Sequence, residues 1–431
     1  MNRQKYTSTN EAKISLKLLQ YLLLIVTLLT ASGGCGESNT PVDSDFKYIE
    51  SIEVVSPKAS KVKVDNFAHF IEIEFETGTD LSNVTLKVNL NSGVTMVSPT
   101  ELTSSYDLTK DASIKVKRNA TTQVYRIKVN IINAPFTASA DKWEKKDNYG
   151  TLPAYISVYK YRQTVSGKKV QAYIAVAELN NKSVRFKVLG EKTGYKTPQQ
   201  FYEENSKPSV VLNGGYFWSG TSLGLMIRDG KTISHQQPVT NRDYNGTPTP
   251  YYPTQGVFGM NNDKVFSAHY GYESQGVLYA YPEPSPNKAG DKPQPIPSKD
   301  FPANGKPWTP VEAIGAGPLL IKDGVYKNNW EAELFDAASG VGPTANHPRS
   351  AVAYHPAGYV LFFVCEGRNK TPATPGLTMK DMADLFLDLG CTDAINLDGG
   401  GSSCMLIRGQ ETIIPSDNGK QRTVTNAIAL Y

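Results

Sequence analysis

Alternation between apolar and polar residues is the feature that most limits how this chain can fold. Between residues 46 and 133 the pattern has period two, as in segments 70–75, 84–88, 114–117 and 124–129. Asn, Ser, Gly and Asp residues separate these runs at regular intervals, and no helix pattern interrupts them. About seven short strands of this kind predict an Ig-like β-sandwich. Because the segment has no cluster of polar groups suited to chemistry, we interpret it as a spacer or adhesion module.

The remainder, residues 140–431, predicts a larger domain of mixed α/β structure built on β-hairpins with few helices. Asp229-Gly230 and Asp323-Gly324 each lie between β-prone runs and predict type I′ hairpins, and Arg408-Gly409 is a fainter copy of the same pattern. Segment 281–310 holds nine prolines and predicts a surface loop. The whole chain is therefore expected to have an α+β fold, with the sandwich first.

The strongest helix pattern covers residues 379–389. Thr378 is a suitable N-cap, Asp381 completes a capping box, and Gly390 follows as a stop signal. The apolar side chains within the segment fall on one face, which predicts packing against a sheet. Weaker patterns predict helices over 198–204 and 330–338.

The N-terminus predicts export. Four basic residues precede an apolar run over 18–29, which is too short for a comfortable membrane span, and small residues lead to Cys35. We interpret residues 1–34 as a signal peptide, Cys35 as a lipid attachment site, and residues 35–45 as a tether. Ser32 departs from the usual aliphatic residue of lipoprotein signals, so cleavage as an ordinary secretory peptide stays an alternative. The expected location is a bacterial envelope, on its periplasmic or cell-surface face, with the membrane as a partner.

Net charge limits the classes of binding partner, and the cysteine count limits the possible disulfides. The chain has a formal net charge of +4, but segment 1–34 contributes four cations and one anion, so the processed chain would carry +1. Without a basic arm, nucleic acid is not an expected partner. Cys365, Cys391 and Cys404 remain after Cys35; we expect core thiols, and the sequence does not select any pair for a disulfide.

A glycine-rich strand end is the strongest candidate for chemistry. The apolar run 394–397 ends in Asp398, followed by Gly399, Gly400, Gly401, Ser402 and Ser403. Consecutive glycines suit a backbone that approaches a ligand closely, and their N–H groups can line an anion-binding concavity. A glycine-rich turn capped by Asp398 is the structural alternative.

Three further segments place polar residues at strand ends. Asn213 and Gly214 follow an apolar run and precede aromatic residues, an arrangement suited to sugar rings. Arg349 begins a strand, and Glu366 and Arg368 follow another. Two arginines from different strand ends can hold one phosphate, although Arg368 is equally suited to a surface ion pair.

Together these segments resemble the phosphodiester glycosidase family. The resemblance rests on Asn-Gly-Gly-Tyr-Phe at 213–217, Pro-Arg-Ser-Ala-Val at 348–352, and the long stretch from Gly376 to Ser403, and it covers about residues 150–431. Glu366-Gly367-Arg368 departs from the family's more usual Asp-Gly-Arg. The resemblance implies hydrolysis of a sugar-1-phosphodiester at the sugar–phosphate linkage.

The resemblance also suggests roles for the residues. Asp398 would be nucleophile or base, and Glu366 its acid/base partner. Phosphate or substrate hydroxyls would be held by a larger set: Arg349, Arg368, Asn213, Gly214, Asn396, Gly399, Gly400, Gly401, Ser402 and Ser403. No cofactor is required by the sequence, although carboxylates and amides can also bind a divalent cation, and the five histidines lack zinc spacing.

Two other functions stay open at the sequence level. Ser222 lies in Gly-x-Ser-x-Gly, with Asp336 and His347 or His355 later in the chain, but a strand follows where a serine hydrolase needs a helix. A non-catalytic glycan-binding lipoprotein would instead use an aromatic surface. The tyrosines available for it are Tyr244, Tyr251, Tyr252, Tyr270, Tyr272, Tyr279 and Tyr281. Tyrosine is also common in ordinary strands.

Overall fold

A computed structural model describes residues 46–66, 69–76, 79–132 and 136–431. The predicted signal peptide, the tether and Cys35 lie outside these residues. The described chain divides into two compact units, one of residues 46–74 and 80–130, the other of residues 75–79 and 131–431. Within the described residues, no helix has the length and apolar character needed to cross a membrane.

The first unit consists of antiparallel sheets. Its strands are β1 (Ile49–Ser56), β2 (Lys61–Asp65), β3 (Phe70–Glu76), β4 (Val84–Leu90), β5 (Val94–Ser98), β6 (Thr103–Tyr106), β7 (Ala112–Arg118) and β8 (Thr121–Ile132). They form a sheet of order β1-β4-β6 and another of order β2-β3-β8-β7-β5. The predicted strands are therefore present, while the Ig-like assignment stays a prediction.

Asn66 joins the two sheets of this unit. Its side chain accepts a hydrogen bond from Ile49 N at 3.0 Å and donates one to Ile49 O at 2.8 Å. The Tyr125 hydroxyl, from the other sheet, donates to Asn66 Oδ1 at 2.6 Å. Alternate residues such as Ile71, Ile73 and Ile114 are fully buried, as the period-two pattern requires.

The second unit is also mostly β-sheet. Its described helices are α1 (Pro198–Glu204) and α2 (Met379–Asp388). Its strands are β9 (Trp143–Lys145), β10 (Ile156–Tyr161), β11 (Thr164–Val165), β12 (Lys168–Lys169), β13 (Ala172–Glu178), β14 (Phe186–Gly190), β15 (Val210–Asn213), β16 (Phe217–Trp218), β17 (Thr221–Ser222), β18 (Met226–Arg228), β19 (Lys231–Ser234), β20 (Thr240–Tyr244), β21 (Thr247–Tyr251), β22 (Gln255–Met260), β23 (Phe266–Ser274), β24 (Val277–Tyr281), β25 (Lys306–Pro307), β26 (Glu312–Gly315), β27 (Leu319–Lys322), β28 (Val325–Tyr326), β29 (Arg349–His355), β30 (Tyr359–Cys365), β31 (Asp393–Asn396), β32 (Met405–Ile407), β33 (Gln410–Glu411) and β34 (Asn426–Leu430).

Three large sheets enclose the main core of this unit. Their strand orders are β28-β27-β31-β29-β30-β13-β10-β9, β19-β18-β26-β22-β23-β24-β25 and β14-β34-β15-β32-β33. One face of the eight-stranded sheet packs against the other two sheets through residues such as Val352, Phe258 and Leu212. Its opposite face packs against α2, where Phe363 contacts Phe386. The α+β prediction is therefore correct only coarsely, because sheet dominates and the described helices are few.

Local turn and cap chemistry agrees with the sequence. Thr378 and Asp381 form the predicted capping box of α2, and α1 begins after Thr197 with a second capping box. Asp229-Gly230, Asp323-Gly324 and Arg408-Gly409 all have positive φ and join β18–β19, β27–β28 and β32–β33. The predicted hairpins are thus confirmed, since both central residues of a type I′ turn need that conformation.

The helix predicted over 330–338 is wrong. That segment consists of turns and a short 3₁₀ helix, Ala337–Ser339. Leu334 has φ +58°, which an α-helix cannot contain. Glu333 is fully buried and accepts backbone hydrogen bonds from Gly256 and Leu319 at 2.8 and 2.9 Å, so the segment folds inward to brace two strands.

Candidate active site

The sheet brings the predicted strand ends to one edge. β29 lies between β30 and β31 and is antiparallel to both, with Arg349 opposite Cys365 and Ala351 opposite Asn396. The carboxyl ends of β30 and β31 therefore meet at the edge where β29 begins. Glu366 and Asp398 follow those two strands, so their segments begin at the same edge of the sheet as Arg349.

Hydrogen bonds join segments 213–214, 348 and 398–400 around Asp398. Asn213 Nδ2 donates to the Asp398 carbonyl at 2.6 Å, and Asp398 N donates to the Gly214 carbonyl at 3.0 Å. Gly400 N donates to the Pro348 carbonyl at 2.9 Å. The position of the Asp398 backbone is thus fixed by residues that are about 185 positions away in sequence.

Asn213 and Gly214 act as structural supports beneath the site. Asn213 is fully buried, and its Oδ1 accepts from Ser350 Oγ at 2.6 Å and from Cys404 N at 3.1 Å. A Cβ on Gly214 would lie 2.0 Å from Asn426 Oδ1, so only glycine fits there. The structure therefore does not place these two predicted substrate-binding residues at an open surface; they position the loop that carries Asp398.

A cavity of about 520 Å³ opens above this loop. Asp398, Gly399, Gly400 and Gly401 form one wall. The other lining residues are Tyr216, Phe217, Trp218, Ser219, Ser339, Gly340, Val341, His347, Arg349, Arg368 and Arg422. Of the predicted site residues, Asp398, the three glycines, Arg349 and Arg368 therefore lie at one cavity.

Asp398 is the one carboxylate among the described lining residues of this cavity. Burial raises its pKa to about 6, against the opposing effects of the Ser402 hydroxyl, the Arg422 guanidinium and the Gly399 amide. The Ser402 hydroxyl is close enough to favour the ionised carboxylate, but its Oγ has no partner at full hydrogen-bond geometry. A carboxylate with this pKa can accept a proton near neutral pH.

Two arginines face the glycine loop. Arg368 has an Nη2 only 2.9 Å from where a Cβ on Gly400 would lie, and Arg422 has an Nη2 only 2.2 Å from a Cβ built on Gly401. Arg422 keeps one ion pair, from Nε to Asp417 at 3.0 Å, and Arg368 contacts Ser416 Oγ at 3.3 Å. The glycines thus leave room for two guanidinium groups beside Asp398.

Sequence reasoning missed Arg422. It lies in the loop between β33 and β34, outside any strand end or glycine motif, and no pattern in the sequence distinguishes it from other surface arginines. The sequence predicts no role for His347 at the phosphate site, although it lies two residues before Arg349 and is one candidate for the serine-triad alternative. It lines the cavity, and burial together with Arg349 and Arg368 lowers its pKa, so the imidazole is neutral at pH 7.

Arg349 is held by the protein itself. It is only 2% exposed, and its guanidinium donates to the carbonyls of Leu377, Val341, Gly342 and Ala345 at 2.6–3.0 Å. An arginine has five N–H donors, so little capacity is left for a phosphate. The expected clamp by Arg349 and Arg368 is therefore not the observed arrangement, and Arg368 and Arg422 form the available pair.

Glu366 does not line the cavity. It is 3% exposed; its Oε1 accepts from Thr371 N and contacts Thr374 Oγ1 at 3.4 Å, while its Oε2 accepts from Ile414 N at 3.2 Å. Both oxygens are thus used to hold two loops. The structure does not bring Glu366 to Asp398's cavity as an acid/base partner.

Three amides of the glycine-rich segment are used inside the protein and are not open N–H groups for a ligand. The amides of Gly400, Ser402 and Ser403 donate to Pro348, Gly399 and Gly400 carbonyls. Ser402 and Ser403 are buried, and their hydroxyls have no hydrogen-bond partner among the described residues. Asn396 is also buried and donates to the Tyr216 hydroxyl at 2.8 Å and the Gly317 carbonyl at 2.9 Å. Asn396, Ser402 and Ser403 therefore lie behind the cavity surface and are not among its lining residues.

The structure does not favour the serine hydrolase. Ser222 is buried and its hydroxyl contacts the Gly224 carbonyl and the Asn426 amide, each at 3.3 Å. Asp336 is bound by Arg242. Neither described contact of the Ser222 hydroxyl is with a histidine; a serine–histidine contact does occur in the described residues, at 2.9 Å, but it joins Ser267 Oγ to His269 Nε2 and does not include Ser222.

The tyrosine surface expected for a binding protein is largely internal. Tyr251, Tyr270 and Tyr281 are fully buried and Tyr272 nearly so.

The three cysteines within the described residues are free and buried. No group of three or more His, Cys, Asp or Glu side chains placed to hold a metal ion occurs in the described part of the chain.

Comparisons with known proteins agree with the motifs. The family model described as phosphodiester glycosidase matches residues 206–431. The human N-acetylglucosamine-1-phosphodiester alpha-N-acetylglucosaminidase is 24% identical over 217 residues, which are 48% of this chain and 34% of that protein. A prophage-derived uncharacterized protein of Bacillus subtilis, YomE, is 36% identical over 84 residues, covering 20% of this chain and 13% of its own. This chain thus spans about a third or less of the length of these curated relatives.

Solved structures also match. The zebrafish N-acetylglucosamine-1-phosphodiester alpha-N-acetylglucosaminidase catalytic domain, auto-inhibited by its pro-peptide, has 18% identity and a TM-score of 0.45, over 67% of this chain and 88% of that chain. A hypothetical protein from Synechocystis has 16% identity and a TM-score of 0.44, over 81% of this chain and 74% of that chain.

Proposed function

The chain belongs to the phosphodiester glycosidase family, and on that premise we propose that it hydrolyses a sugar-1-phosphodiester at the bond between the anomeric carbon and the phosphate oxygen. The observation that carries the proposal is one cavity in which Asp398, with a pKa raised to about 6, lies beside Arg368 and Arg422. A carboxylate next to two guanidinium groups suits an anomeric carbon bonded to a phosphodiester.

In the proposed reaction, the C1–O bond breaks and the phosphate leaves as a phosphomonoester with the bonding electrons. Arg368 and Arg422 stabilise the charge that grows on its oxygens. Asp398 either removes a proton from the attacking water, which becomes the C1 hydroxyl, or first bonds to C1 and is then released by water. Because a phosphomonoester is a good leaving group, strong general-acid help is less necessary.

Arg349 and Glu366 have supporting parts in this proposal. Arg349 collects four carbonyls from segments 341–345 and 377, so it holds the loop that forms one wall of the cavity. Glu366 accepts hydrogen bonds from Thr371 N, three residues after Arg368, and from Ile414 N, in the loop that continues to Arg422. We assign both to positioning.

Sugar release from a panel of sugar-1-phosphodiesters tests the function. The expected result is equimolar free sugar and phosphomonoester from at least one member, with loss of release in Asp398→Asn. Asp300→Asn, at an exposed position, is the control. Saturable sugar binding without release by the wild-type protein, unchanged in Asp398→Asn, would support the glycan-binding alternative and overturn this proposal.

We also propose that the enzyme acts outside the cytoplasm, attached through lipidated Cys35. The support is the basic and apolar pattern of residues 1–34, with small residues before Cys35. Labelling with a fatty-acid analogue in a bacterial host should mark the wild-type chain but not Cys35→Ser. Equal labelling of both, or labelling of neither with normal export, would contradict the anchor.

A further inference from the structure

A second cavity of about 270 Å³ lies beside the Asp398 cavity. The two share a wall formed by Tyr216, Phe217, Trp218, Ser339 and Val341. The second cavity contains neither the glycine loop nor Arg368 and Arg422. A ligand that occupies both would therefore have one end at the arginines and the other beyond the aromatic wall.

The second cavity is electrically neutral. Arg242 is the one charged side chain among its described lining residues. It pairs with Asp336 at 2.6–2.9 Å, and its remaining donors bond to the carbonyls of Asn241 and Leu334. The other polar lining groups include the amides of Gln236, Gln237 and Gln255. Such a lining suits an uncharged ligand that carries hydroxyl or amide groups.

Trp218 provides an unusual exposed face at this wall. It is 77% exposed and lies in the lining of both cavities, where its aromatic face can stack on a ligand. It ends β16 and is followed by Ser219 and Gly220, which have positive φ and turn the chain tightly into β17. The indole is therefore presented on a short hairpin between the two cavities.

Gln236 has spare hydrogen-bonding capacity next to the same cavity. It is 8% exposed; its Nε2 contacts Gln255 Oε1 at 3.4 Å, and its buried Oε1 has no partner among the described residues. Gly315 makes room for it, since a Cβ there would lie 2.9 Å from Gln236 Oε1. An unsatisfied buried amide costs free energy, which a ligand hydroxyl or N–H can recover once the side chain turns toward it.

We propose that the second cavity is the subsite for the neutral sugar that the enzyme releases, with Trp218 stacking on the sugar and the glutamine amides binding its polar substituents. This inference rests on the proposed function. With the phosphate at Arg368 and Arg422 and the anomeric carbon at Asp398, the ring extends away from the arginines. That direction passes Tyr216, whose hydroxyl bonds to Asn396 behind the surface of the Asp398 cavity and whose ring lines both cavities.

Two substrate series test the subsite. One varies the sugar with a common methyl phosphate, and the other varies the alcohol beyond the phosphate with a common sugar. Trp218→Ala should lower kcat/KM roughly tenfold for the preferred sugar and flatten the preferences across the sugar series, because aromatic stacking is worth about that factor. Preferences across the alcohol series should stay as in the wild-type protein.

Trp218→Phe and Val325→Ala are the matched variants. Phenylalanine keeps an aromatic face and should restore most of kcat/KM and the sugar preference. Val325 is 58% exposed on the turn of a different hairpin. Its alanine variant should therefore have the wild-type kcat/KM and the wild-type preferences in both substrate series. The assignment of this cavity to the released sugar is overturned if Trp218→Ala also keeps the wild-type kcat/KM. It is likewise overturned if Trp218→Ala flattens the preferences across the alcohol series alone.

A binding measurement separates this inference from the proposed function. Free neutral monosaccharides are titrated into the protein while tryptophan fluorescence is followed in the wild-type and Trp218→Phe chains. A saturable change that is lost in Trp218→Phe supports the subsite even if no diester is hydrolysed. Identical fluorescence responses in both chains would overturn the subsite while leaving sugar release from diesters as an independent result.

Discussion

The ends of β30 and β31 look alike in sequence and differ in the structure. Each strand is buried, and each is followed by a carboxylate and a glycine, Glu366-Gly367 and Asp398-Gly399. Glu366 has backbone N–H donors on both oxygens, from Thr371 and Ile414. Asp398 lines a cavity, and burial raises its pKa to about 6. The comparison teaches that a buried carboxylate with a backbone donor on each oxygen serves to hold loops, whereas one whose segment is held mainly through its backbone stays available for chemistry.

The largest expected effect is on turnover at the β31 end. Asp398→Asn keeps the backbone hydrogen bonds to Asn213 and Gly214 but removes the group that accepts a proton or attacks carbon. We expect kcat for sugar release to fall about 10³-fold. The measurement is initial-rate kinetics on the best substrate of the diester panel, with folding checked by circular dichroism.

Glu366→Gln is the matched variant at the β30 end. Because Glu366 acts on the cavity only through the loops that it holds, kcat should fall by about tenfold or less in the folded protein, far less than in Asp398→Asn. A loss in Glu366→Gln as large as that in Asp398→Asn, in a variant that is fully folded, would show that the two strand ends do not differ as argued.

The next effect concerns Arg422, which faces the glycine loop at the β31 end. Arg422→Met removes a guanidinium beside Gly401 and should lower kcat/KM about 10²-fold, the usual cost of losing one donor to developing charge. Lys420→Met, an exposed position in the same loop, removes the same charge outside the cavity and should change kcat/KM little. Equal losses in both variants would mean that Arg422 acts only through long-range charge.

Much of this arrangement could be predicted from local patterns. The hairpins follow from residues that accept positive φ, α2 follows from its capping box, and the Asp398 segment follows from a buried strand ending in glycines. These features depend on neighbours in sequence. What Arg349 and Glu366 do depends on carbonyls and amides in segments 341–345, 371–374 and 414, which have no periodic pattern. Arg422 was missed for the same reason.

A smaller effect is expected on stability at the β30 end. In Glu366→Gln, one carboxylate oxygen becomes an NH₂ group that faces a backbone N–H donor, either that of Thr371 or that of Ile414. An unpaired buried donor costs about 2 kcal/mol, so the free energy of unfolding should fall by roughly that amount. Urea denaturation measures it, with exposed Glu331→Gln as the control. A Glu366→Gln variant as stable as the wild-type protein would contradict a stabilising role for the Glu366 carboxylate.

The last expected effect is a gain in stability at the β31 end, similar in size to the loss at the β30 end, and it depends on pH. The pKa of Asp398 is about 6 in the folded chain, above its ordinary value of 3.8, because burial penalises the charged form. Well below pH 3.8 the group is protonated in both the folded and the unfolded chain, so it costs nothing. As the pH rises from about 4 through 6, the unfolded chain loses this proton first and stability is lost; above pH 6 the folded chain holds a partly enclosed charge and the full cost remains. Asp398→Asn avoids this cost and should exceed the wild-type free energy of unfolding by about 2 kcal/mol more at pH 7.5 than at pH 4. Exposed Asp300→Asn should show no such pH-dependent gain. An advantage for Asp398→Asn that is equal at both pH values, or larger at pH 4, would contradict a strained carboxylate at this strand end and with it the contrast to Glu366.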